Sequence, residues 1–182
     1  MIFETSRLSV RNLRSSDFSA FHAMQSDDEV MRYTTGQGLG EAENRRQLQS
    51  CIDSYHKPGN EFWVWAITRK SDQAFLGTCA IVPSGGRPEI GFRLLRKFFG
   101  RGFGKEACLG LIQYAIEKQQ VPELIARVDV RNLASVTILN ASCLAFVEEL
   151  ANEDGAMDRF YRWTAGTGAG KLDTIEPVQK NS

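Results

Sequence analysis

The sequence predicts one α/β domain of the α+β kind, a sheet of about seven strands flanked by helices. Three observations carry that expectation. Residues 62–68, 75–82 and 88–95 are dense in aromatic and β-branched side chains and are separated by short turns at Ser71-Asp72 and Gly85-Gly86. Residues 41–56 and 102–119 instead repeat their apolar side chains at helical spacing. Between the two patterns lies Gly100-Arg101-Gly102-Phe103-Gly104-Lys105, where a strand runs into a helix through glycines.

In chain order, residues 7–11 alternate polar and apolar side chains and read as a strand with one buried face. Ser16 or Asp17 then caps a helix bearing Phe18, Phe21 and Met24, and Ser26-Asp27-Asp28 caps a shorter one bearing Val30, Met31 and Tyr33. The loop at residues 36–40 follows no strand and reads as a flexible connection. In the helix at 41–56, Leu48, Cys51, Ile52 and Tyr55 form the apolar face, with Arg45, Arg46 and Gln49 outside. The strands at 62–68 and 75–82 pair as a hairpin, and 88–95 follows as the third of the group. The helix after the glycines buries Phe103, Ala107, Cys108, Leu111, Ile112 and Ala115 and carries Glu106, Gln113 and Glu117 as a polar stripe. Residues 124–130 form a strand, 132–142 a helix, and 146–150 and 160–164 two last strands around a turn at Asn152-Glu153-Asp154-Gly155. The domain spans residues 1–165, and 166–182 read as a polar, mobile tail. Within that tail, residues 166–171 fail as a nucleotide-binding P-loop, because Ala165 stands where glycine is needed and Leu172 where Ser or Thr is needed.

Composition excludes several classes. With 42% hydrophobic residues among 182, the chain supports one packed core. Basic and acidic residues both number 22, so there is no net-basic footprint and no direct nucleic-acid partner is expected. No basic-then-apolar leader opens the sequence and no apolar run matches a bilayer, so a cytoplasmic location with no membrane partner is expected. Cys51, Cys79, Cys108 and Cys143 are far apart and lack neighbouring histidines, which argues against a metal site or disulfide framework. A homodimer is left open.

The glycine stretch is a candidate phosphate cradle. Glycines at 100, 102 and 104 let ligand oxygens approach the backbone, the helix behind offers unpaired amides, and Arg101 and Lys105 add positive charge. A tight turn needing glycine is the competing reading, and context decides between them.

That context resembles the GNAT N-acetyltransferase superfamily, in the branch named for RimJ and RimL, which acetylate ribosomal-protein N-termini. The resemblance rests on Thr5 to Arg11 with Asp17, on Asp28 to Tyr33, on Glu89-Ile90-Gly91-Phe92-Arg93-Leu94, on Gly100 to Ala107, and on Asn132-Leu133-Ala134-Ser135, met in that order. Phe99 agrees with the branch, which usually has an aromatic there. The resemblance implies a mixed, mostly antiparallel twisted sheet splayed around acetyl-CoA, the co-substrate. It implies that Gly100, Arg101, Gly102, Phe103, Gly104 and Lys105 hold the pyrophosphate. The backbone at Phe92, Arg93 and Leu94 would hold the pantetheine arm and acetyl carbonyl, Asn132 would bind pantetheine, and Ser135 would approach the sulfur. The partner is an amine, a protein N-terminus or a small molecule.

Acetyl transfer to nitrogen needs a neutral amine, a polarised carbonyl and a proton for the departing sulfur. Glu89 is the candidate base, with a structural ion pair as the equal alternative, and Ser135 is the candidate donor to sulfur. The superfamily's usual tyrosine acid is replaced by Leu139. Asn132 also suits an N-cap, which is compatible with ligand contact. The expected reaction is direct attack in a ternary complex, with cysteines as core residues rather than nucleophiles. Alternatives are a small-amine acetyltransferase and a non-catalytic acyl-CoA-binding domain.

Overall fold

The computed structural model describes residues 1–151 and 155–166. The strands are β1 (Phe3–Glu4), β2 (Leu8–Asn12), β3 (Trp63–Arg69), β4 (Phe75–Ser84), β5 (Arg87–Leu94), β6 (Glu123–Asp129), β7 (Ala145–Ala151) and β8 (Met157–Thr164). The helices are α1 (Phe18–Gln25), α2 (Asp28–Met31), α3 (Glu41–Ser54), α4 (Phe103–Glu117) and α5 (Leu133–Asn140), with single 3-10 turns at Ser15–Asp17 and Arg96–Phe98. Among the described residues the strands form one eight-stranded sheet in the order β1-β2-β3-β4-β5-β6-β8-β7. The eighth strand is β1, two residues long and too short for any periodicity to mark. It lies on α4 at Gly110, where a Cβ would come within 2.6 Å of Thr5 Cγ2. The turn expected at 152–155 falls largely outside the described residues, as does the tail from 167 on.

Every pairing is antiparallel except β5 with β6, which share one registered parallel pair, Glu89 with Ile125. Beyond that pair β5 leaves β6, and the sheet splits. On its other side β5 is tightly bound to β4 over the whole stretch from Ser84↔Arg87 to Gly77↔Leu94. The Gly85-Gly86 turn has φ values of 57° and 75°, the two left-handed residues that a tight hairpin requires. At Gly77 a Cβ would stand 2.0 Å from the Arg93 carbonyl oxygen, so only glycine lets the strands close here.

The core lies between the sheet and α4. Phe103, Ala107, Cys108, Leu111, Ile112 and Ala115 are all buried, packed against a layer that includes Leu8, Ile67, Leu76 and Leu124. The other face of β3, β4 and β5 is covered by α1, α2 and α3. Among the described residues no helix is long and apolar enough to cross a membrane.

Two sequence expectations are corrected. Asp17 stands at the N-cap position of α1 but makes no side-chain capping bond there; its carboxylate takes a bidentate bond from Arg11 at 2.8 Å and accepts the Arg14 N–H at the start of the preceding 3-10 turn. Glu106 is not part of a solvated stripe. Its carboxylate is only 10% exposed and receives Thr5 Oγ1 at 2.5 Å, the Arg7 N–H at 2.7 Å, Arg7 Nε at 2.6 Å and Ser6 Oγ at 3.1 Å.

Candidate active site

The split between β5 and β6 opens into a cavity of about 1060 Å³. Its floor is the cavity-facing side of β4 and β5, where Thr78, Ala80 and Val82 stand opposite Arg93, Gly91 and Glu89. One wall is the glycine loop and start of α4. Another is the end of β6 with α5, and α1 to α3 close the remaining side.

The loop is shaped by backbone conformation and by a distant arginine. Gly100 and Gly102 have φ values of 69° and 78°, and Gly102 is the N-cap of α4. The first bond of the helix runs from the Glu106 N–H to the Gly102 carbonyl at 3.1 Å, leaving the Phe103, Gly104 and Lys105 amides without helical partners. Arg7, anchored by Glu106, donates from Nη1 to the Arg101 carbonyl at 3.2 Å and lies 4.4 Å over the Phe103 ring. Burial works to raise the Glu106 pKa, but the bonds from Thr5, Arg7 and Ser6 outweigh it and hold the carboxyl below the usual range.

Of the residues expected at the site, Glu89, Phe92, Arg93, Leu94, Gly100, Gly102, Gly104, Lys105, Asn132 and Ser135 line the cavity. Arg101 and Phe103 do not: the Phe103 ring is buried edge-on to Phe98, and the Arg101 guanidinium lies 6.0 Å from the Phe98 ring. Glu89 lines the cavity with no ion pair or hydrogen bond among the described residues. Asn132 caps α5, its Oδ1 accepting the Ser135 N–H at 3.2 Å. The Ser135 hydroxyl makes no bond back to its helix among the described residues, unlike Thr137, which donates to the Leu133 carbonyl at 2.7 Å. Arg93 turns its side chain away from the loop, toward Gln25 on α1.

The acidic residues Asp129 and Asp158 on this wall had no sequence signal. Asp158 lines the cavity from β8, across from Asp129 on β6. Burial raises the Asp158 pKa, with the charges of Asp129 and Glu89 adding to it and Arg127 and Arg131 opposing. Asp129 itself is held low, first by the Arg131 side chain, whose Nε donates at 2.9 Å. Tyr33 Oη donates to the Arg131 carbonyl at 3.2 Å and ties α2 to this edge. Strand pairing brings Asp129 and Asp158 together, and local pattern cannot reveal it. The thiols are poor nucleophiles here: burial pushes Cys51 up to about 11 and Cys108 up to about 12, and raises Cys79 and Cys143 as well.

Residues 7–142 match the family model described as Acetyltransferase (GNAT) domain. The chain belongs to the GNAT acetyltransferase family. It is an acetyl-CoA-dependent N-acetyltransferase. The uncharacterized N-acetyltransferase p20 of Bacillus licheniformis is 29% identical over 148 residues, covering 80% of this chain and 82% of that one. Among solved structures, RimL, the ribosomal L7/L12 alpha-N-protein acetyltransferase in complex with coenzyme A, superimposes with a TM-score of 0.74 at 15% identity, covering 90% of this chain and 97% of the other. The spermidine N-acetyltransferase of Vibrio cholerae, in complex with CoA and spermine, also gives 0.74, at 14% identity, covering 88% and 96%.

The GNAT cavity of this chain fits acetyl-CoA. No atom lies within 4 Å of where a Cβ would sit on Gly100 or on Gly91, so ligand atoms can reach the backbone at both. The free amides of α4 and the Lys105 ammonium suit phosphate oxygens. Gly104 is a packing glycine instead, since its Cβ would meet Phe92 at 3.2 Å.

Proposed function

We propose that this GNAT enzyme, of the RimJ/RimL-like branch, acetylates the α-amine of a protein or peptide N-terminus by direct attack within a ternary complex. The observation that carries the reading is Glu89, a carboxylate facing the cavity with no cation to neutralise it among the described residues. The missing partner favours the base over the structural ion pair. Glu89 accepts a proton from the incoming amine, directly or through water, and the Ser135 hydroxyl, untied to its helix, donates toward sulfur. When bound, acetyl-CoA supplies the activated acyl group. The glycine loop and Lys105 hold the phosphates, the β5 backbone from Gly91 to Leu94, past its pairing with β6, orients the acetyl end, and Asn132 offers its remaining amide hydrogens. The raised thiol pKa values support direct transfer over an acyl-enzyme.

The amine class sets the demand on the base. An α-amine titrates near 8 and a lysine near 10.4, so the latter costs about 3 kcal/mol more to neutralise at pH 7. A single carboxylate suits the easier nitrogen. A small polyamine is the second reading, favoured by the acidic side chains Glu29, Glu89, Asp129 and Asp158 around one cavity and by the likeness to a spermidine enzyme.

The test is turnover of acetyl-CoA against peptides with free N-termini, polyamines and amino acids, followed by kcat/KM against pH for wild type and Glu89→Gln. With a peptide acceptor the variant should lose about 100-fold near neutrality, shrinking as pH rises through 8 and solvent supplies the free amine. A loss that is the same at every pH, together with a lower Tm, assigns Glu89 a structural role.

A further inference from the structure

Among the described residues, the mostly buried cation on the cavity wall, Arg93, has no carboxylate partner. Arg93 is mostly buried, and among the described residues its side chain meets only Gln25 Oε1, which accepts from Nη1, and Met31 Sδ at 3.8 Å. The other arginine drawn well out of water, Arg11, is paired with a carboxylate, that of Asp17 at 2.8 Å. Burial lowers the Arg93 pKa, and the one opposing influence is the Cys51 thiol, itself neutral at physiological pH because its pKa is about 11. A guanidinium taken from water without a carboxylate is unfavourable unless something else supplies the negative charge.

The geometry excludes the glycine loop as that source. Phe92 and Leu94 face Gly104 at the start of α4, so Arg93, between them on β5, points to the opposite side, among α1, α2 and α3. Its position is also fixed. Gln25 is fully buried and donates from Nε2 to Gln47 Oε1 at 2.8 Å, so its Oε1 is left facing the guanidinium. Gly91, next on the same face, is open to the cavity. An amine reaching the backbone at Gly91 therefore has a fixed positive charge one side chain away.

We infer that Arg93, oriented by Gln25, binds a carboxylate carried by the amine acceptor, so that carboxylate-bearing amines are acetylated in preference to neutral or polycationic ones. This rests on the transferase reading and narrows it. The carboxylate belongs either to a free amino acid or to an acidic side chain near a peptide N-terminus, and the chemistry at Arg93 is the same for both.

The experiment measures kcat/KM for two matched pairs, leucine against leucinamide and Ala-Glu-Ala-amide against Ala-Gln-Ala-amide, with spermidine alongside. In at least one pair the carboxylate form should be favoured by about ten- to a hundredfold, the worth of a charged hydrogen bond. Arg93→Gln should erase the preference through KM with kcat nearly kept, and Arg93→Lys should restore part of it. Gln25→Glu should erase it as well, by supplying Arg93 with an internal carboxylate. Equal rates in both pairs, preference for spermidine, or selectivity that survives Arg93→Gln would overturn the inference. If no amine is turned over, the transferase reading fails for this panel, and the anion site is then judged by calorimetry with CoA present. N-acetyl-leucine binding more tightly than N-acetyl-leucinamide, or the acetylated Glu peptide more tightly than its Gln partner, in wild type but not in Arg93→Gln, upholds it. Equal or absent binding overturns it.

Discussion

Glu106→Gln tests how the start of the chain shapes the cofactor loop. Glutamine keeps one acceptor oxygen for Thr5 Oγ1 and the Arg7 N–H, now neutral rather than charged, and turns an amide NH₂ toward Arg7 Nε, where donor meets donor. The Nε bond is lost, at about 1 kcal/mol once the 47% exposure of the Arg7 side chain is allowed for, and the two weakened bonds add about 1 kcal/mol. A total near 2 kcal/mol corresponds to a fall in Tm of about 4–8 °C for a domain of this size. Because the Glu106 pKa is depressed in the fold, its contribution is complete above the unfolded value near 4.3 and is lost as pH falls through the lower folded value. The gap between wild type and Glu106→Gln should thus be full at pH 7 and close as the pH falls through that lower folded value. Arg7 also holds the Arg101 carbonyl, so acetyl-CoA affinity should drop by about two- to fivefold, or 0.5–1 kcal/mol. Thermal unfolding across pH and calorimetry with acetyl-CoA read both effects. An unchanged Tm at neutral pH, or a gap that persists in acid, would refute the reasoning.

Gly102→Val places a branched side chain at φ 78° and 3.4 Å from Arg7 Nη2, and acetyl-CoA affinity should fall at least about tenfold by calorimetry; unchanged affinity in a folded variant removes the loop as the phosphate site. Asp158→Asn should raise Tm at pH 7, because burial and the charges of Asp129 and Glu89 disfavour its ionised form in the fold. Since the folded pKa is raised, that gain should vanish as pH falls below the unfolded value of about 3.9, and a gain independent of pH would point to packing instead. Replacing Cys51, Cys79, Cys108 and Cys143 one at a time by alanine should leave turnover measurable in each folded variant, and a trapped acetyl-cysteine in mass spectra would contradict direct transfer.

Residues close in sequence were legible. The apolar stripe of α4, the Gly85-Gly86 hairpin and the glycine turn that leads into α4 depend on helical period, strand alternation and glycine's freedom, all of which act over a few residues. The wall itself was partly legible for the same reason, since Glu89, Gly91 and Arg93 alternate on one strand. What only the tertiary structure decided is which charges meet. Glu106 reads as solvated until residues 99 and more positions away fold onto it. Asp158 acquires its raised pKa only once the fold buries it and β8 pairs it with Asp129 on β6, with Glu89 nearby. Arg93, on an unremarkable strand, becomes an unneutralised cation once α1 brings glutamine rather than a carboxylate against it. Hydrophobic period is a local property of the chain, whereas electrostatic partnership depends on distance in space, and the sheet order sets that distance.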